Sequence, residues 1–168
     1  MISRAALRRG GPAPAHSGLV APLMECHGRI RAVAASLRAL AGRGALDSPA
    51  AVSTATQVAR YLRIALPLHA ADEEQSVAPR LCALRPELAA QLDQIADEHA
   101  EIEELVGRAL PGLDGTAPLD QTALRALAAA LHGHIEGEER LIFPLIDALS
   151  PAEQAAALAE LRARRAMA

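Results

Sequence analysis

HAADEEQSVAP at residues 69–79 and HIEGEERLIFP at residues 134–144 share one frame: His, three residues, Glu-Glu, four residues, Pro. Side chains four apart on an α-helix lie one turn apart on the same face. His69 therefore faces the same way as Glu73, and His134 the same way as Glu138. Leu62, Ala65 and Val77 continue the first pair's stripe, and Leu124, Leu127, Leu131 and Leu145 continue the second. The polar pairs thus extend apolar faces and point into a core.

Outward from these stretches, Val20, Leu23, His27, Ile30, Ala34 and Leu37 alternate by three and four, which predicts a first helix. Ser48 caps the second helix, with Pro49 at its first position and Pro67 inside as an expected kink or point of local repair. Pro79 and Pro86 bracket its exit. Leu88, Leu92, Ile95, His99, Ile102 and Val106 mark a third helix, and PGLDGTAP (111–118) reads as a loop. The fourth helix follows Asp120, and Pro144 bends or ends it. Ser150-Pro151-x-Glu153 resembles a capping box for a short fifth helix. MECHGRIRAV around His27 matches ADEHAEIEEL around His99. The chain therefore reads as two related helix pairs, over about 19–82 and 87–148.

Length and composition fit this reading. The 168 residues suit one domain, and 51 % are hydrophobic with one Tyr, one Phe and no Trp, so Leu, Ala, Val and Ile must build the core. The fold class is all-α: an up-down-up-down four-helix bundle over 18–149, a flexible N-terminal arm over 1–17, and a C-terminal helix over 150–168 packed on or beside the bundle. A net charge of −3 without a basic stripe excludes a nucleic-acid partner. No apolar run approaches the roughly 18 residues of a membrane span, and none follows the early arginines as a signal peptide requires. Two cysteines, Cys26 and Cys82, are too few for a disulfide scaffold. A cytoplasmic setting is expected.

Four imidazoles and two carboxylates on inward faces need compensation, because a buried carboxylate without a partner costs several kcal/mol and no Lys or Arg shares those stripes. A metal pair supplies it, with His27, His69, Glu73, His99, His134 and Glu138 as ligands. Absence of thiolates on these faces argues against a zinc-finger type of site, and mixed N/O ligation favours iron, with manganese as the alternative. Ferritin-like di-iron bundles use Glu-x-x-His; the order here is reversed and the spacing is four.

On His27, His69-x-x-x-Glu73, His99, His134-x-x-x-Glu138, Pro79 and Phe143-Pro144, the chain resembles the hemerythrin-like family of HHE cation-binding domains. The resemblance implies a four-helix bundle with a non-haem pair of iron ions under an oxo or hydroxo bridge, Mn or Zn being substitutes. It also implies that the small ligand is O2, NO or peroxide. Oxygen-carrying hemerythrins have one more histidine a turn after the third-helix ligand, where this chain has Glu103. They place the last carboxylate five residues after its histidine, which here would be Glu139; Glu138 has the HHE spacing. Fewer histidines and an extra carboxylate favour the ferric state.

Glu103 is a seventh candidate ligand, with a salt bridge to Arg31, its counterpart in the repeat, as the other reading. Glu74 and Glu139 lie about 100° round their helices from the ligands and read as solvated or as supports behind them. His132 reads as exposed, and His16 precedes the bundle. Tyr61 and Cys26 read as packing residues, although the Tyr61 hydroxyl could reach the centre. Two classes of function are open at this point. One is a centre that reacts with peroxide or NO, or senses O2, NO or peroxide. The other is a non-enzymatic iron sensor or store, or a metal-stabilised interaction domain, in which the arginines of the last helix offer a surface to a protein partner.

Overall fold

The computed structural model describes residues 18–167. The arm expected over 1–17, with His16, lies outside the described residues, within which every regular element is helical. The long helices are α1 (Val20–Arg43), α2 (Pro49–Asp72), α4 (Ala89–Leu113) and α5 (Gln121–Leu141). The shorter ones are α3 (Ala78–Leu84), α6 (Phe143–Ile146) and α7 (Pro151–Ala166). α1 packs against α2 and α5, and α4 against α5 and α2, which closes an up-down-up-down bundle.

Local chemistry sets the helix ends. Ser48 Oγ accepts from the Ala51 N–H at 3.2 Å, and Asp120 Oδ1 accepts from the Ala123 N–H at 2.8 Å. α1 stops at Gly44, whose φ of 79° lets its N–H turn back to the Leu40 carbonyl. At α7 the Ser150 hydroxyl and the Glu153 carboxylate close the expected capping box.

Two prolines read as stops do not stop their helices. α2 passes Pro67 and runs directly into one π turn (Glu73–Val77), then α3, so the helical rod reaches Leu84, beyond Pro79. Within the π turn the Ala78 N–H reaches back to the Glu73 carbonyl. Pro79 has no N–H to donate, and the wider turn absorbs that gap. The Arg80 guanidinium donates to the Ser76 carbonyl at 2.7 Å. Likewise α4 continues past Pro111 to Leu113, three residues into the stretch expected to be loop. The Pro111 carbonyl accepts from the Thr116 N–H at 3.0 Å and the Ala117 N–H at 3.2 Å, which wraps the chain under the helix end. There Gly112 suits a close approach: a Cβ would stand 3.0 Å from the Pro118 carbonyl oxygen and the Leu119 Cα, which would have to give by a few tenths of an ångström.

Two apolar clusters flank the histidines along the bundle. The larger joins Ile30, Leu37, Leu62, Val106, Leu124 and Leu131 with many alanines of all four long helices. The smaller joins Leu19 and Leu23 of the start of α1, Val77, Leu81, Phe143 and Ile146, with Ala157 and Leu161 of α7. Polar contacts also dock α7. Asp72, fully buried, pairs with Arg164 and, at 2.5 Å, with Arg165, while Arg80 binds Glu160 at 2.6 Å. No helix among the described residues is long and apolar enough to cross a membrane.

Candidate metal centre

Each long helix brings a histidine to one level of the bundle, on the stripe that also feeds the core: Leu23 and Ile30 flank His27, Leu62 precedes His69, Ile102 follows His99 and Leu131 precedes His134. His27 comes from α1, His69 from α2, His99 from α4 and His134 from α5. One turn after His69 and His134, Glu73 and Glu138 enter the same space. All but His99 are buried, and the His99 side chain is only 10 % exposed.

The six side chains form two groups that share both carboxylates: His27, His69, Glu73 and Glu138, and Glu73, His99, His134 and Glu138. Within each group the candidate ligand atoms lie within 4.8 Å of one another. Glu73 turns Oε1 toward His69 Nε2 at 3.5 Å and Oε2 toward His99 Nε2 at 3.3 Å. Glu138 turns Oε2 toward His27 Nε2 at 3.2 Å and Oε1 toward His134 Nε2 at 3.3 Å. Every Nε2 therefore points inward, and each carboxylate spans the two groups.

Protein atoms alone leave this pocket unsatisfied. Nε2 of His27 and of His69, both Glu73 oxygens and Glu138 Oε2 are buried without a hydrogen-bond partner, although several lie close to one another. Such orphans are costly, and native interiors rarely hold them in a cluster. Burial, together with the charge of Glu138, pushes the Glu73 carboxyl well above its ordinary range. Burial holds His69 down to about 3, in its neutral, lone-pair-bearing form. Neutral imidazoles and carboxylates with free oxygens around one space are the donor set of a hard or borderline cation. The residues fit a metal pair.

Behind the inward-facing rings stand three carboxylates. His27 Nδ1 lies 2.9 Å from Glu139 Oε1, His99 Nδ1 2.7 Å from Glu74 Oε1, and His134 Nδ1 2.9 Å from Glu98 Oε2. Each can accept the ring's outer N–H and so hold Nε2 inward. Glu139 also binds Arg31 at 2.7 Å, which draws its pKa down against the cost of partial burial. Glu74 and Glu139 thus take the supporting position rather than a purely solvated one. Glu98 was not anticipated. It follows no spacing on its own helix that points to a site, and its partner is on α5; the only signal was its place next to His99.

Glu103 is exposed, belongs to neither group, and does not pair with Arg31, whose partner is Glu139. It lines the wall of a cavity of about 520 Å³ between α2 and α4, together with Leu62, Leu66, His69, His99 and His134. His132 is half-buried beside Glu136. Tyr61 packs against the larger apolar cluster, and burial together with the nearby Cys26 raises its hydroxyl to about 12. Cys26 is buried, with its sulfur 3.1 Å from Arg29.

An all-α bundle whose four long helices converge on two carboxylate-sharing His-Glu groups defines a metal-binding four-helix protein. The Hemerythrin HHE cation binding domain matches residues 19–146, and the chain belongs to that family. No curated protein matches it significantly.

Proposed function

We propose that His27, His69, Glu73, His99, His134 and Glu138 hold two iron ions, one per group, with Glu73 and Glu138 each spanning both. In this reading the protein reacts with or senses O2, NO or peroxide. One observation carries it: two groups of two histidines share two carboxylates, three of whose four oxygens are buried without a hydrogen-bond partner. An iron pair held there supplies one-electron redox chemistry and a coordination position for a small ligand.

The chain's own residues set the conditions for that chemistry. Glu139, Glu74 and Glu98 hold three rings by their outer nitrogens. Phe143 stacks on His27 with ring centroids 4.8 Å apart and closes that side to water. The cavity between α2 and α4 leaves the opposite side approachable past Leu62, Leu66 and Ile102, through walls that admit a small uncharged molecule.

Elemental analysis of protein loaded with ferrous iron without oxygen tests the metal reading; two irons per chain are expected, and none would end it. Stopped-flow mixing of the loaded, reduced protein with H2O2, NO or O2 tests reactivity, with rapid change in the near-ultraviolet absorption expected for at least one of them. A second reading, an iron sensor or store, draws on α7. Arg164 and Arg165 pair with Asp72, the neighbour of Glu73, which ties the last helix to the centre. Metal-dependent folding with inert chemistry would favour it.

A further inference from the structure

Swapping α1 with α4 and α2 with α5 maps one half of the centre on the other. His27 then corresponds to His99, His69 to His134, Glu73 to Glu138 and Glu74 to Glu139. The supports behind the ligands follow the same exchange. His27–Glu139 at 2.9 Å repeats as His99–Glu74 at 2.7 Å. The contact between His134 and Glu98 at 2.9 Å should repeat between His69 and the residue before His27. That residue is Cys26, and the repeat is broken there: His69 Nδ1 is buried without any hydrogen-bond partner.

Cys26 has other company. Its sulfur lies 3.1 Å from an Arg29 nitrogen and 3.5 Å from an Arg165 nitrogen. One half thus has a carboxylate behind each of its histidines. The other has a carboxylate behind His27 and none behind His69, and the counterpart of Glu98 in the repeat is Cys26, whose thiol is flanked by two guanidiniums. A carboxylate behind a metal-bound imidazole fixes the ring and raises its basicity, and removing such a partner costs about 10- to 100-fold in metal affinity.

We infer that the two metal positions are unequal by construction, the one held by His27 and His69 being the exchangeable position and the one held by His99 and His134 the retained one, with Cys26 as the residue that sets the difference. This rests on the metal reading above and adds an order of filling and emptying. The cavity between α2 and α4 is lined by His69, His99 and His134 and so opens to both positions, which leaves the support behind the rings as the difference between them.

Protein loaded with two equivalents of cobalt(II), whose visible absorption reports occupancy, is mixed with excess EDTA, and release is followed over time. Two phases are expected, with rates about 10- to 100-fold apart. Cys26→Glu supplies the missing carboxylate next to Arg29 and Arg165 and is expected to slow the fast phase toward the slow one. Glu98→Ala removes the matching support in the other half and is expected to accelerate the slow phase while leaving the fast one. Circular dichroism checks that both variants fold, and Glu98, being part-exposed, keeps the test decisive if Cys26→Glu does not fold. Release of both ions in one phase, or Glu98→Ala leaving the slow phase unchanged, overturns the inference while the metal reading stands. Failure to bind cobalt or iron at all removes both.

Discussion

Toward Leu37, Ala55, Val106 and Leu124 the bundle is closed by apolar side chains of its own four long helices. Toward Leu23, Leu81 and Phe143 it is closed by a further helix, α7, which lies beyond the matched family domain and is tied down by Asp72, Arg80, Glu160, Arg164 and Arg165 as well as by Ala157 and Leu161. The centre sits between these two ends. The first end is stable through burial alone, which is indifferent to charge and to metal. The second is built on a buried carboxylate directly next to a proposed ligand. One end is thus expected to hold the helices together while the other feels what occupies the centre.

The largest effect should come from the centre itself. Glu73→Gln is expected to abolish binding of at least one ion per chain, measured by elemental analysis. In the metal-free state the same variant should unfold at a higher temperature than the parent, because it removes a buried carboxylate that burial and Glu138 already disfavour in its charged form. Equal destabilisation of both states would mean that Glu73 serves packing and not a cation.

Next, Leu124→Ala at the apolar end should cost about 2–5 kcal/mol in denaturant unfolding, since Leu124 is fully buried. Its metal content should not change. Loss of metal there would erase the proposed division of labour between the ends.

Asp72→Ala should be milder in stability and stronger in its reach. A fully buried pair costs about 3–5 kcal/mol to break, and the part-exposed guanidiniums bring this down to about 1–3 kcal/mol. Hydrogen exchange should rise in α7 and in the π turn but not in α2 before Leu62, and metal affinity should fall. The smallest change is Ser150→Ala, which removes the α7 capping box at about 1 kcal/mol and should leave metal affinity intact.

The bundle and the six inward residues were legible in the sequence because helix periodicity reports which face a residue occupies. It does not report what stands behind that residue on a neighbouring helix. Glu98 was missed for this reason, as its partner His134 is on α5. Asp72 was missed because it stands three residues after His69, among polar neighbours, and its partners Arg164 and Arg165 come from the end of the chain. Pro79 and Pro111 were read as breaks because a proline's missing N–H is visible in sequence. The wider turn before one and the chain wrapping under the other are not visible there.

The π turn also settles a matter of angular phase. His69, Glu73, Val77 and Leu81 are each four residues apart and all are buried. In an unbroken α-helix that spacing advances about 40° per step, or about 120° from His69 to Leu81. One extra residue in a turn sets the rotation back by about 100° and returns all four to nearly one line. The single rod from Pro49 to Leu84 can therefore present ligands at one level and apolar side chains to α7 at the next. Deleting one residue between Glu74 and Ser76 would shorten it by little. It would leave His69 and Glu73 where they are and let Val77 and Leu81 keep their face, because removing one residue from an α-helix sets the rotation back by the same roughly 100° that the π turn absorbs.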